Sequence, residues 1–128
     1  MANEGADIIQ PDVTIVGGLW EMKKIAAMAE AEYVVVPHHP CGPVANAVNM
    51  LFALSTTNFL ILGYHPDDEP SRVELVDAPI IPLVDGHLIP PDRPGLGLDL
   101  NLQERKKHAY KPWHRPFQWK MDENPGYW

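Results

Sequence analysis

Between Asp7 and Gly63 the chain alternates short apolar runs with longer stretches whose apolar residues recur every three or four positions. Asp7-Ile8-Ile9-Gln10-Pro11 is a brief apolar run ended by proline, which suits a buried strand closing at Asp12. Gly17-Gly18 then supplies a turn. From Leu19 to Ala31 the residues Met22, Ile25, Ala26 and Ala29 fall on one side of a helical repeat, which predicts an amphipathic helix. Glu32-Tyr33-Val34-Val35-Val36-Pro37 is rich in β-branched residues and predicts a second strand, with His38 at its C-terminal end. Gly42-Pro43 opens the next helix, proline being well placed in a first turn, and the pattern carries it to about Leu54. Asn58-Phe59-Leu60-Ile61-Leu62 predicts a third strand ending near Gly63.

The predicted order is β-α-β-α-β with short connections, the pattern of parallel strands joined by helical crossovers, so the expected fold class is α/β. Strands this apolar expect cover on both faces. Three of them alone leave two open edges, so they are expected to belong to a larger sheet or barrel. After Tyr64 the character changes. His65-Pro66-Asp67-Asp68-Glu69-Pro70 reads as a polar loop. Ile80 to Ile89 reads as a β-hairpin turning at Asp85-Gly86, and Pro94-Gly95-Leu96-Gly97 as turn chemistry. From Lys111 the tail is aromatic, with Trp113, Phe117, Trp119, Tyr127 and Trp128, and must pack against something to be stable in water. The chain divides by composition into residues 1–65 and a Pro-rich segment, 66–128.

A length of 128 residues allows one ordinary domain, and an apolar fraction of 45% argues against wholesale disorder. The net charge of −7 disfavours a nucleic-acid partner, because phosphate binding needs clustered Lys and Arg. No apolar run approaches the roughly 18–20 residues of a membrane span, and the acidic first residues lack the apolar core of a signal peptide. A single cysteine, Cys41, excludes an internal disulfide and suits a reducing compartment, so the expected location is the cytoplasm.

Candidate chemistry centres on Asp12 and His38, which fall at the C-terminal ends of consecutive predicted strands. That is the end of parallel α/β sheets and barrels where sites are built. Adjacent strands lie about 4.8 Å apart, so the two side chains are within reach of each other. An Asp accepting from one ring nitrogen would fix the tautomer and raise the basicity of the other, making His38 a general base. The competing reading is an Asp that caps a turn and a histidine that lines a loop. His39 is expected to point away from His38, which argues against a two-histidine metal site. His65 with Asp67 and Asp68 reads as a solvated acidic loop, and Cys41 as a small packing residue. The basic stretch around His108 and His114 reads as solvated surface. No phosphate loop or Gly-rich dinucleotide fingerprint is present.

Gln10-Pro11-Asp12, Gly17-Gly18, Pro37-His38-His39-Pro40 and Gly42-Pro43, in this order and spacing, resemble the late barrel strands of the enolase superfamily, mandelate racemase subgroup. The resemblance is closest to galactonate dehydratases and related sugar-acid dehydratases. It extends through the Asp85-Gly86 hairpin and the Pro94-Gly95-Leu96-Gly97 turn to Trp113, Arg115, Asp122 and Trp128. It implies strands six to eight of a TIM-type barrel (residues 1–65), followed by a hairpin and aromatic tail (66–128) that would pack against a lid domain.

By this resemblance Asp12 and His38 form the family's dyad. His38 removes the proton alpha to a sugar-acid carboxylate, and loss of the β-hydroxyl as water leads to a 2-keto-3-deoxy acid. Mg2+ holds the intermediate in the full-length family. Its three acidic ligands lie on earlier strands, so no cofactor is expected for this chain alone. The family's substrate-binding glutamate on strand eight matches Gly63, where the side chain is lost. Met1 matches interior family sequence, so the chain is expected to be a fragment, inactive by itself. The second reading is a non-catalytic assembly module that pairs through open strand edges with itself or with a separately encoded barrel half. A racemase or cycloisomerase on the same scaffold is a third. Expected partners are a sugar-acid substrate and either a second copy or the missing half, with neither nucleic acid nor membrane.

Overall fold

A computed structural model of the protein describes residues 5–39, 42–66, 70–78 and 81–112. Its first half follows the predicted order. Strand β1 (Ile8–Ile9) leads into helix α1 (Leu19–Ala29), strand β2 (Val34–Val35) and helix α2 (Pro43–Leu54). β1 and β2 pair in parallel, Ile8 with Val34 and Ile9 with Val35. The hydrogen bonding outruns these short strands: Val34, Val36 and His38 donate in turn to the carbonyls of Asp7, Ile9 and Pro11. Every second residue of one segment is thus tied to the other, so the C-terminal ends stay side by side beyond the last ladder pair.

The third expected strand needs correction. Asn58–Leu62 contributes a single parallel bridge, Val35 to Phe59, rather than a full ladder. It is bonded along one side, with Leu60 N donating to Val35 O at 3.0 Å, while Leu60 and Ile61 remain exposed. An apolar strand makes a complete ladder when both edges and both faces are covered, and here one flank has no strand beside it among the described residues. The α1 helix is also shorter than expected, stopping at Ala29 in place of Ala31. Glu32 N and Tyr33 N both donate to Ala29 O, at 3.0 and 2.8 Å, and this turn redirects the chain into β2.

The core lies between the two helices and the strands. Met22, Ala26 and Ala29 of α1 meet Ala45 and Phe52 of α2 over Val13 and Val35, with Ile9, Val16, Tyr33 and Val48 around them. Ile25, counted in the expected stripe, is only half-buried. Gly17 and Gly18 adopt φ of 100° and 97°, a region that side chains rarely tolerate, and there the chain reverses into α1.

The second half begins with a four-residue helix, α3 (Pro70–Val73). The hairpin forms between β3 (Leu83–Val84) and β4 (His87–Leu88), inside the expected bounds. Asp85 and Gly86 both have positive φ, as a tight two-residue hairpin turn requires. Helix α4 (Leu102–Arg105) follows, and an antiparallel bridge joins Val76 to Leu100. Arg93 lies 3.7 Å from Asp77 and 3.5 Å from Asp99, flanking that bridge. The expected aromatic tail, from Trp113 onward, lies outside the described residues, as do Pro40, Cys41, Asp67, Asp68, Ile80 and His114.

Candidate active site

Three neighbouring chain segments end on the same side. His38 N donates to Pro11 O at 3.0 Å, and Gly63 N donates to Pro37 O at 3.1 Å. These bonds set Asp12, His38 and Gly63, the three expected site positions, at corresponding ends of adjacent segments. Pro11 has no N–H to offer the ladder, so its carbonyl is the last group of the first segment to pair before the chain turns at Asp12.

Asp12 is almost wholly buried, at 5% exposure. Its Oδ2 lies 2.8 Å from His38 Nδ1. Its Oδ1 accepts twice from Thr14, from the backbone N at 2.8 Å and from Oγ1 at 2.6 Å. Its carbonyl accepts from Ile15 N and Val16 N, so the acid sits at the head of a closed turn. Burial pushes the carboxyl pKa up, but the Thr14 hydroxyl, the Thr14 backbone N–H and His38 together outweigh it and hold the value below the ordinary one. An ionised carboxylate has no proton to donate, so the bond requires His38 to carry its proton on Nδ1. In the neutral ring Nε2 then holds the lone pair. The His38 side chain is 52% exposed, which leaves the ring accessible on one side while Asp12 anchors the other.

His39 is 3% exposed, so adjacent histidines occupy opposite environments, as strand alternation predicts. His65 is exposed and contacts the Pro66 carbonyl at 3.2 Å. In the basic stretch, Lys107 pairs with Glu104 at 2.7 Å and His108 lies 3.7 Å from the same carboxylate. Gly63 offers even less than its missing side chain implies, because its N–H is already committed to Pro37 O. A Cβ built there would meet that carbonyl at 3.1 Å, a tight approach requiring a shift of a few tenths of an ångström. An apolar cleft of about 490 Å³ lies between α2, Phe59–Leu62 and the hairpin, but neither Asp12 nor His38 lines it.

Among the described residues no three His, Cys, Asp or Glu side chains are grouped to hold a metal ion. The described residues therefore do not fit a Mg2+ site. Nor, among them, is any helix long and apolar enough to cross a membrane.

Residues 1–105 match the family described as Enolase C-terminal domain-like. The D-galactonate dehydratase of Pectobacterium atrosepticum is 37% identical, over 91% of this chain and 32% of its own length. A solved enolase from Agrobacterium radiobacter, bound to Na and L-malate, is 36% identical with a TM-score of 0.78, covering 95% of this chain and 34% of that one. Another from Pantoea ananatis, with bound D-gluconate and Mg, is 30% identical with a TM-score of 0.70, covering 79% and 25%. The chain thus spans about a third of the length of the curated relatives it matches. It belongs to the Enolase C-terminal domain-like family and corresponds to the C-terminal part of a galactonate dehydratase-like member.

Proposed function

We propose that this chain supplies the proton-abstracting dyad of a sugar-acid dehydratase and does not turn over substrate by itself. The observation that carries the reading is the 2.8 Å contact between His38 Nδ1 and the buried Asp12 carboxylate. His38 Nε2 takes the proton alpha to the substrate carboxylate, and the electron pair of the broken C–H bond passes into the enediolate. Asp12 holds the ring in the required tautomer and offsets the positive charge that the ring acquires. The intermediate then expels its β-hydroxyl as water, and the enol product tautomerises to a 2-keto-3-deoxy acid. The dianionic enediolate needs strong electrostatic stabilisation, which neither Gly63 nor any acidic cluster among the described residues equips this chain to provide.

In this reading residues 1–65 are strands six to eight of a barrel, and 66–128 are a cap that meets a lid domain. The remaining strands, with their Mg2+ ligands and the acid for the leaving hydroxyl, come from another part of the polypeptide or from a partner, in the cytoplasm. The exposed Leu60 and Ile61 beside the single bridge mark one edge available for that pairing. The same edge supports the non-catalytic assembly reading, in which pairing is the whole function.

The test is incubation of the purified 128-residue chain with galactonate and Mg2+, with keto-deoxy acid measured by a colorimetric assay. No product above the buffer blank is expected. Sustained turnover, abolished by chelation of the metal, would overturn the division of labour proposed here.

A further inference from the structure

The dyad depends on which way the Asp12 carboxylate faces. A carboxylate on a short side chain can rotate about its last torsion, a broad and two-fold one, and so exchange its two oxygens. Nothing in the Asp12–His38 bond alone prevents this. Thr14 does: its backbone N–H and its hydroxyl both donate to Oδ1, at 2.8 and 2.6 Å. The shorter of the two has the length expected of a hydroxyl bonded to an ionised oxygen. With Oδ1 held twice, Oδ2 is the oxygen left for His38 Nδ1, at 2.8 Å.

The support behind Thr14 is itself firm. The turn is closed by Ile15 N and Val16 N donating to the Asp12 carbonyl, and Val13, between the two partners, is packed into the core. A β-branched side chain has few χ1 options, so the hydroxyl is preset toward Asp12 before substrate arrives.

We propose that Thr14 is a positioning residue of the Asp12–His38 dyad, locking the carboxylate so that Oδ2 fixes the proton of His38 on Nδ1. This rests on the dyad reading above, and the two can fail separately. Thr14→Val keeps the branched shape and the backbone N–H while removing only the hydroxyl. Thr14→Ser keeps the hydroxyl.

The test is long-range 1H–15N correlation of the His38 ring in the full 128-residue chain, with a carbon-detected titration of the Asp12 carboxyl. In the unsubstituted chain His38 is expected as the Nδ1–H tautomer. In Thr14→Val, with the backbone amide spectrum otherwise unchanged, that tautomer is expected to lose its dominance and the Asp12 midpoint to move upward. Thr14→Ser is expected to restore both. A Thr14→Val ring signal and Asp12 midpoint identical to the parent would overturn the role of Thr14 while leaving the dyad intact. Equal disturbance in Thr14→Ser, spread over the amide spectrum, would reduce Thr14 to a structural turn residue and overturn it too. Absence of the Nδ1–H tautomer from the parent itself would overturn the dyad, and this inference with it.

Discussion

The Asp12 carboxylate receives three hydrogen bonds although it is nearly sealed from water, and that combination fixes its charge state. Its pKa is depressed in the folded chain, so the unfolded chain binds the proton first as acid is added. The stability that this group contributes is fully present above the ordinary carboxylate value of 3.8 and is lost as pH falls through the lower folded value. Asp12→Asn should therefore be less stable than the parent at pH 7, by about 1.5–3 kcal/mol for bonds to a charged group. Urea melts should show the gap narrowing once pH drops through the unfolded value. A gap that is constant from pH 7 to pH 2 would contradict the charged, bonded Asp12 described here.

At this scale Asp12 and His38 were legible as residues ending consecutive strands. Thr14 was not singled out, although Asp followed two residues later by Thr is a pattern in which side chains bond back onto a turn. The commitment of the Gly63 N–H was beyond sequence reading, since it depends on the register between two segments.

Helix α1 was legible because it buries one stripe, α2 because Gly42-Pro43 opens its first turn, and the Asp85-Gly86 hairpin because its turn chemistry allows few alternatives. Helix α4 is short, but its start carries a sequence signal. Asn101 caps it, accepting from the N–H groups of Gln103 and Glu104, and Glu104 stands three residues after the cap. Helix α3 has four residues, too few to show a repeat. The third strand was legible only in part, because an apolar run specifies a strand fully only when neighbours cover both sides, and Asn58–Leu62 makes a single bridge. Its open edge has a consequence. Leu60 and Ile61 are 55% and 61% exposed, and with no strand on that flank among the described residues they form a surface suited to strand addition. The chain should associate as its concentration rises, and the double substitution Leu60→Lys, Ile61→Lys should move the midpoint at least about tenfold higher, as roughly 1.4 kcal/mol of lost association would. Sedimentation equilibrium checks this, and a parent that stays monomeric at every accessible concentration would count against edge pairing.

For the molecule as a whole, about one third of the length of its relatives holds three adjacent segment ends and the bonded Asp12–His38 pair, but no cluster of metal-binding side chains among the described residues. The family was legible in the order of short motifs from Gln10 to Trp128, and the family match covers residues 1–105. What sequence could not convey is that the third segment makes one bridge and not a ladder, since strand regularity is set by neighbours.

The most direct test of the central claim is to graft this chain in place of the corresponding C-terminal part of the Pectobacterium atrosepticum D-galactonate dehydratase, with Gly63→Glu to supply the carboxylate that the resemblance implies at that position. Initial rates of keto-deoxy acid formation from galactonate would then be compared with and without His38→Asn. The account predicts measurable dehydration by the graft and a fall of about 10²–10⁴-fold on losing the His38 base. A graft that dehydrates galactonate equally well with His38→Asn would contradict it.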